Sequence, residues 1–133
     1  MSDFTDAAED SIGDALFNNT DFLGIDDLYV GAHTGDPGNS GTTNEVSAGD
    51  YSRVLTESDD WSTSGNGPRQ ATNDVDVEFA EAENDWGEIT HITVWDDLSD
   101  GTAYTKYALD TSVTINTGDI LRFPTNDITF DIN

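Results

Sequence analysis

Asp96, Asp97 and Asp100 are the acids whose spacing comes nearest to a cation-binding loop. A calcium loop of the EF-hand type needs oxygen ligands at its third and twelfth positions. Counted from Asp96, those positions hold Leu98 and Tyr107. A hairpin turn at Asp100-Gly101 is therefore the favoured reading, and the three acids remain candidates for a surface site taking Na, K, Mg or Ca ions. The adjacent pairs Asp26-Asp27 and Asp59-Asp60 arise easily by chance in a chain with 21 Asp. His33 and His91 are the only histidines and cysteine is absent, so neither a zinc site nor thiolate chemistry is indicated. No Gly-x-Ser-x-Gly elbow accompanies a histidine, and accidental carboxylate pairs are expected among 28 acids. The expectation is a protein that is not an enzyme, with no catalytic or cofactor-binding residues.

Three tryptophans could instead form a binding surface. Trp86 precedes Gly87 and a strand, and Trp95 ends a strand, positions where large aromatics close a small core. Trp61 lies beside a polar stretch and is the candidate for ligand contact, such as a glycan. Asn18-Asn19-Thr20 matches a glycosylation acceptor, a three-residue pattern of high chance frequency.

The composition narrows the partners. With 28 acids against four basic residues, the net charge of −24 would repel nucleic acid phosphates. Disorder is the bland reading of such acidity. It is outweighed by 13 aromatics and regular β-patterned stretches, which carry enough apolar surface for one core in 133 residues. The charge then belongs on the face of a folded domain. Molar salt shortens the Debye length to about 3 Å and quiets the repulsion. Scarce lysine and an excess of Asp over Glu fit a protein adapted to concentrated brine; an acidic, cation-binding surface in ordinary salt is the alternative. No apolar run reaches 18 residues, so no membrane insertion is expected. The acidic start lacks the basic and apolar regions of a secretory signal, and release by lysis would suffice for a chain acting outside the cell.

The elements that would position these residues fall in two parts. Phe4, Ala8, Ile12 and Leu16 recur every four residues among Asp3, Asp6, Glu9, Asp10 and Asp14, which predicts an amphipathic helix capped by Ser2 or Asp3 and stopping in Asn18-Asn19-Thr20. Residues 1–20 form the expected docking or oligomerisation arm, with that stripe as its assembly face, and residues 21–133 a single β-sandwich domain. Strands are predicted at Leu28-Tyr29-Val30, Tyr51 to Leu55, Val75 to Phe79, Ile89 to Trp95, Tyr104 to Leu109, Val113 to Ile115, Ile120 to Phe123, and Ile128 to Ile132. Gly35 to Gly41 and Ser62 to Asn73 read as exposed loops. Short strands with frequent turns predict an all-β class, an antiparallel β-sandwich of jelly-roll-like kind behind a short N-terminal α-helix.

Several segments in one order carry a resemblance. They are Leu28-Tyr29-Val30-Gly31-Ala32-His33-Thr34-Gly35-Asp36-Pro37-Gly38, Asn44-Glu45-Val46, Gly49-Asp50-Tyr51-Ser52-Arg53, Trp86 to Asp96, Gly101 to Tyr104, Ala108-Leu109 and Thr117 to Phe123. Together they resemble small tail-fibre-like virion proteins of tailed phages, here in a salt-adapted form suited to a virus of halophilic archaea. Ala32 stands where the family usually has Leu, and Asp50 where it has Gly. The resemblance implies a structural role on the outer surface of the virion, made in the host cytoplasm, with no catalytic residues to carry over. A fibre needs a shaft, and neither a coiled coil nor a repeat is present. The expected role is thus a capsid decoration or turret module, a trimer or pentamer contacting capsid or tail proteins. Tail fibre or baseplate protein, and an adhesin module for a receptor or glycan on the host cell surface, are the alternatives.

Overall fold

The computed structural model describes residues 2–21, 27–64 and 69–132. The chain opens with a three-residue strand, β1 (Ser2–Phe4), followed by helix α1 (Asp6–Phe17). Next come β2 (Asp27–His33), β3 (Val54–Glu57), a 3-10 turn at Ser58–Asp60, β4 (Trp61–Ser64) and β5 (Arg69–Asn73). β6 (Val77–Glu78), β7 (Gly87–Trp95), β8 (Ala103–Ile115), β9 (Arg122–Phe123) and β10 (Thr129–Ile132) complete it. All strand pairs are antiparallel, in a five-stranded sheet ordered β1-β8-β7-β2-β3, a three-stranded sheet ordered β10-β5-β4, and the ribbon β6-β9. This is the expected all-β sandwich with a short N-terminal helix. One core joins the two sheets and the ribbon, with Phe79, Ile89, Ile92 and Ile128 at its centre.

Four expectations about elements are corrected. Phe4 belongs to a strand, and the helix starts at Asp6. Ser2 to Phe4 extend the sheet by pairing with Tyr107 to Thr105, so neither Ser2 nor Asp3 caps the helix. Thr5 does so: its hydroxyl accepts from the Ala8 amide at 3.5 Å and donates to the Ala103 carbonyl at 2.6 Å, while its own amide donates to Tyr104. The predicted loop from Ser62 to Asn73 is mostly the β4-β5 hairpin, whose residues 65–68 lie outside the described residues. Its serines and threonines lack an apolar alternation, and backbone pairing with β10 supplies the order that side chains do not announce. The strands expected at Tyr104 and Val113 are one, β8, because Asp110-Thr111-Ser112 holds neither Gly nor Pro to break it. Its register with β7 jumps from Ile89 opposite Val113 to His91 opposite Ala108, so residues 109–112 form a bulge. Lastly, Tyr51 to Arg53 precede β3 rather than lying within it.

Register assigns the two faces of the central strands. Val30 faces Val94 and Ala32 faces Ile92 on the side of the core. The alternate pairs, Tyr29 with Trp95, Gly31 with Thr93 and His33 with His91, share the opposite face. That outer face would normally meet water. His33, Thr93 and Trp95 are nonetheless buried on it, because the long connection between β2 and β3 folds back over them.

Candidate functional site

The densest gathering of polar side chains lies under that connection. Glu45 and Arg53, both in the β2-β3 connection, form a two-pronged ion pair: Arg53 Nε donates to Glu45 Oε2 and Nη2 to Oε1, each at 2.8 Å. Arg53 Nη1 donates to the carbonyls of Asp97 at 2.9 Å and Asp100 at 2.7 Å, tying the connection to the β7-β8 turn. Its guanidinium lies 3.5 Å above the centroid of Trp95. Planar, weakly hydrated guanidinium suits both contacts at once, which an ammonium would not. The Tyr51 hydroxyl donates to Glu45 Oε2 and accepts from the Ala32 amide, both at 2.8 Å, where β3 no longer pairs with β2.

A second chain of hydrogen bonds runs beneath. His33 Nδ1 lies 2.8 Å from the Thr43 carbonyl, which only accepts, so Nδ1 carries the proton and Nε2 accepts from Thr93 Oγ1 at 2.8 Å. Thr93 Oγ1 in turn accepts from Trp95 Nε1 at 2.6 Å. Gly31 leaves room for this junction. A Cβ there would stand 2.9 Å from Trp95 Nε1 and 3.0 Å from both Glu45 Oε2 and Thr93 Oγ1.

The ionisable groups of the cluster are hydrogen-bonded within the fold. Burial pushes Glu45 up, but hydrogen bonds from Arg53 and Tyr51 and the Arg53 charge outweigh it and hold the carboxyl below its ordinary value. Three donors occupy its two oxygens. Burial lowers His33 against weaker opposing influences, so it stays neutral with both ring nitrogens engaged. Burial likewise raises Tyr51 far above the ordinary phenol value. Tyr51, Arg53 and Trp95 also line an adjoining cleft of about 650 Å³, with Asp100 across it. The cluster is a clasp.

The other sequence candidates are dispersed. Asp96 accepts from the Thr102 amide at 2.7 Å and from the Tyr104 hydroxyl at 3.3 Å, and Asp97 from the Leu98 amide at 2.7 Å, which makes both carboxylates parts of the turn. With Asp100 they do not converge, and no group of three or more His, Asp or Glu side chains among the described residues is placed to hold a metal ion. His91 contacts Thr90 and sits with Asp3, Asp36 and Lys106 in a shallow recess, apart from His33's hydrogen bonds. Asn18 is the C-cap of α1, its side chain donating to Asp14. Asp50, one of the departures from the resembled family, accepts from Asn84 Nδ2, the Glu83 amide and Trp86 Nε1, which holds its carboxyl down at about 2.

Trp61 forms one wall of an apolar cleft of about 290 Å³ between the inner faces of the sheets. Its Nε1 donates to Thr56 and its ring tilts against Phe130. Phe4 lines the same cleft from β1. Of the expected assembly stripe, Ala8 is buried, whereas Ile12 is 38% and Leu16 71% exposed. The helix is thus held by its first turn and carries its apolar end outward. Phe17, 81% exposed beside Leu16, was absent from the four-residue periodicity and is the most exposed large apolar side chain among the described residues.

No described helix is long and apolar enough to cross a membrane. Residues 3–131 match the model of a family described as podophage GP4 fiber I protein gp80. No curated protein matches the chain.

Proposed function

The chain belongs to the podophage GP4 fiber I protein gp80 family, and from that premise we propose that it is a non-enzymatic module on the exterior of a tailed virus particle, assembled as a homo-oligomer. Membership of a phage fibre family makes it a virion structural protein associated with other virion components. Within that role a capsid decoration or turret is the preferred reading, with a trimer or pentamer as its assembly. The observation that carries it is α1, fastened by Thr5 and Ala8 at one end and presenting Ile12, Leu16 and Phe17 at the other. Solvent-facing apolar groups this large on so charged a chain mark a contact surface. The family description favours a second reading, a tail fibre or baseplate component. A twelve-residue helix is too short to serve as its shaft, so such a fibre would draw its length from a partner.

The acidic surface supports a particle that works in brine. Net charge of −24 on a compact domain opposes folding through self-repulsion that only concentrated salt screens.

Light scattering in multi-molar KCl tests the assembly. Wild type is expected as a trimer or pentamer, and a Leu16→Ser/Phe17→Ser variant as a monomer with unchanged unfolding midpoint. Removing residues 1–20 would also strip β1 from the sheet, so the double substitution is the cleaner perturbation. Gold-labelled antibody on intact particles then separates capsid from tail. A monomeric wild type, or label on neither, would sink the proposal.

A further inference from the structure

We infer that copies of this chain join head to tail, the Leu16-Phe17 end of α1 on one copy entering the apolar cleft beside Trp61 on the next. The inference rests on the homo-oligomeric reading above and specifies its interface.

Two features of one chain match. The cleft lies between inner faces of the sheets, with Phe4, Leu28 and Val94 on one side and Trp61, Ala71 and Phe130 on the other. Its remaining lining residues are Thr63, Thr105 and Ile132, so no charged residue contributes to it. In a chain with 28 acids, such a wall is one of few places where a second copy can approach without burying a carboxylate. The helix end is its counterpart: Ala15-Leu16-Phe17-Asn18-Asn19-Thr20 is six uncharged residues, with Leu16 and Phe17 mostly exposed. The cost of burying carboxylates anywhere else on the surface therefore favours these patches for each other.

Size agrees as well. An apolar cavity of about 150 Å³ holds benzene. A cleft of about 290 Å³ therefore accommodates one phenyl ring with part of a neighbouring aliphatic side chain. The walls of the cleft are apolar throughout, which suits an apolar occupant. Knob and hole are different surfaces of the molecule, so the contact can run head to tail. Repeated around an axis, such a contact closes a ring.

The test uses the full chain in multi-molar KCl, with mass read by light scattering and the environment of Trp61 by fluorescence, since Trp86 and Trp95 are buried already. Phe17→Ser removes the knob. Thr63→Glu, at an exposed position of β4, places a charge at the mouth of the hole, and Ala71→Leu fills it. Each variant alone is expected to associate at least tenfold more weakly than wild type with an unchanged urea midpoint; should one misfold, the other hole variant still reports. Equimolar Phe17→Ser and Thr63→Glu chains are expected to form a one-to-one heterodimer, because each retains the half the other lacks. If both hole variants assemble like wild type while Phe17→Ser does not, the interface is helix on helix: this inference falls and the oligomeric reading stands. A wild type that stays monomeric overturns both.

Discussion

Replacing Arg53 with Met tests the clasp most directly. The substitution keeps much of the side chain's volume over Trp95 but removes four hydrogen bonds, two to Glu45 and one each to the carbonyls of Asp97 and Asp100. Glu45, whose side chain is only 20% exposed, would keep the Tyr51 hydroxyl as its one donor among the described contacts. Breaking a buried pair by removing one partner costs about 3–5 kcal/mol, because a charge is left behind without compensation. The remaining exposure of Glu45 and the access of water to the turn place the expected loss near the low end, about 3 kcal/mol. At roughly 2.1 cal/mol/K per residue, a chain of 133 residues has an unfolding entropy near 0.28 kcal/mol/K, so the melting temperature should drop by about 11 °C. Urea unfolding at constant salt, followed by tryptophan fluorescence, measures it. Arg53→Lys should lose about half as much, since it keeps the charge but not the fork. Adding Glu45→Gln to Arg53→Met should recover part of the loss, because the stranded charge is then gone. A cost below about 1 kcal/mol for Arg53→Met, or strict additivity in the double variant, would refute the account of Glu45 and Arg53 as a coupled clasp.

Gly31→Ala drives a methyl group into the junction of Trp95 Nε1, Glu45 Oε2 and Thr93 Oγ1, and should cost about 1–3 kcal/mol by urea unfolding; a neutral result would mean that the connection over β2 yields freely. Acid should act in two stages. Burial lowers His33, so below about pH 6.5 the unfolded chain takes up a proton that the folded one resists, and stability falls as pH falls. Asp50 is held at about 2 by Asn84, the Glu83 amide and Trp86, and Asp76 is lowered by Arg122 and Thr125. Their contribution is complete above the usual carboxylate value and disappears as pH drops through the folded one, so the fall should steepen between about pH 4 and 2. A melting temperature constant from pH 7 to 3 contradicts both stages. In KCl the midpoint should climb from dilute buffer to molar salt, as screening shortens from about 10 to 3 Å; the same midpoint in both would remove the case for brine.

What could be read in the sequence follows where local pattern and tertiary use coincide. Ile89 to Trp95 was visible as a strand because β-branched residues run through it, and Ile128 with Phe130 because alternation puts both in the core. β4 and β5 were hidden because their side chains are mostly polar and their order comes from ladder bonds, β5 to β10 and β4 to β5. The end of α1 was visible at Asn18, but its start was masked: Phe4 stands four residues before Ala8 and fits the helical stripe, while in the fold it completes the edge of a sheet through residues about one hundred positions away. The clasp was present as a string of signature residues and not as contacts. Arg53 reaches Asp97 and Asp100 across 44 and 47 positions, a separation no local spacing reports. Its one advance sign was compositional: one of only four basic residues stands within that string.

The excess of Asp over Glu also has a candidate source in the loops. Asp36, Asp50, Asp76, Asp85, Asp96 and Asp119 each accept a hydrogen bond from a backbone amide in a loop or turn. Asp36 and Asp119 do so within their own turns, where Asp is favoured, whereas Asp50, Asp76 and Asp85 tie loops 33, 49 and 32 positions apart at a reach set by the shorter side chain. Adaptation to brine requires charge and is indifferent to one methylene; loop closure requires the shorter side chain. Asp76→Glu/Asp85→Glu/Asp119→Glu keeps the net charge at −24 and separates the two causes. If loop closure governs, this triple variant melts below wild type at every KCl concentration, by a gap that does not narrow as salt rises. A variant that melts with wild type throughout would return the Asp excess to the solvent alone.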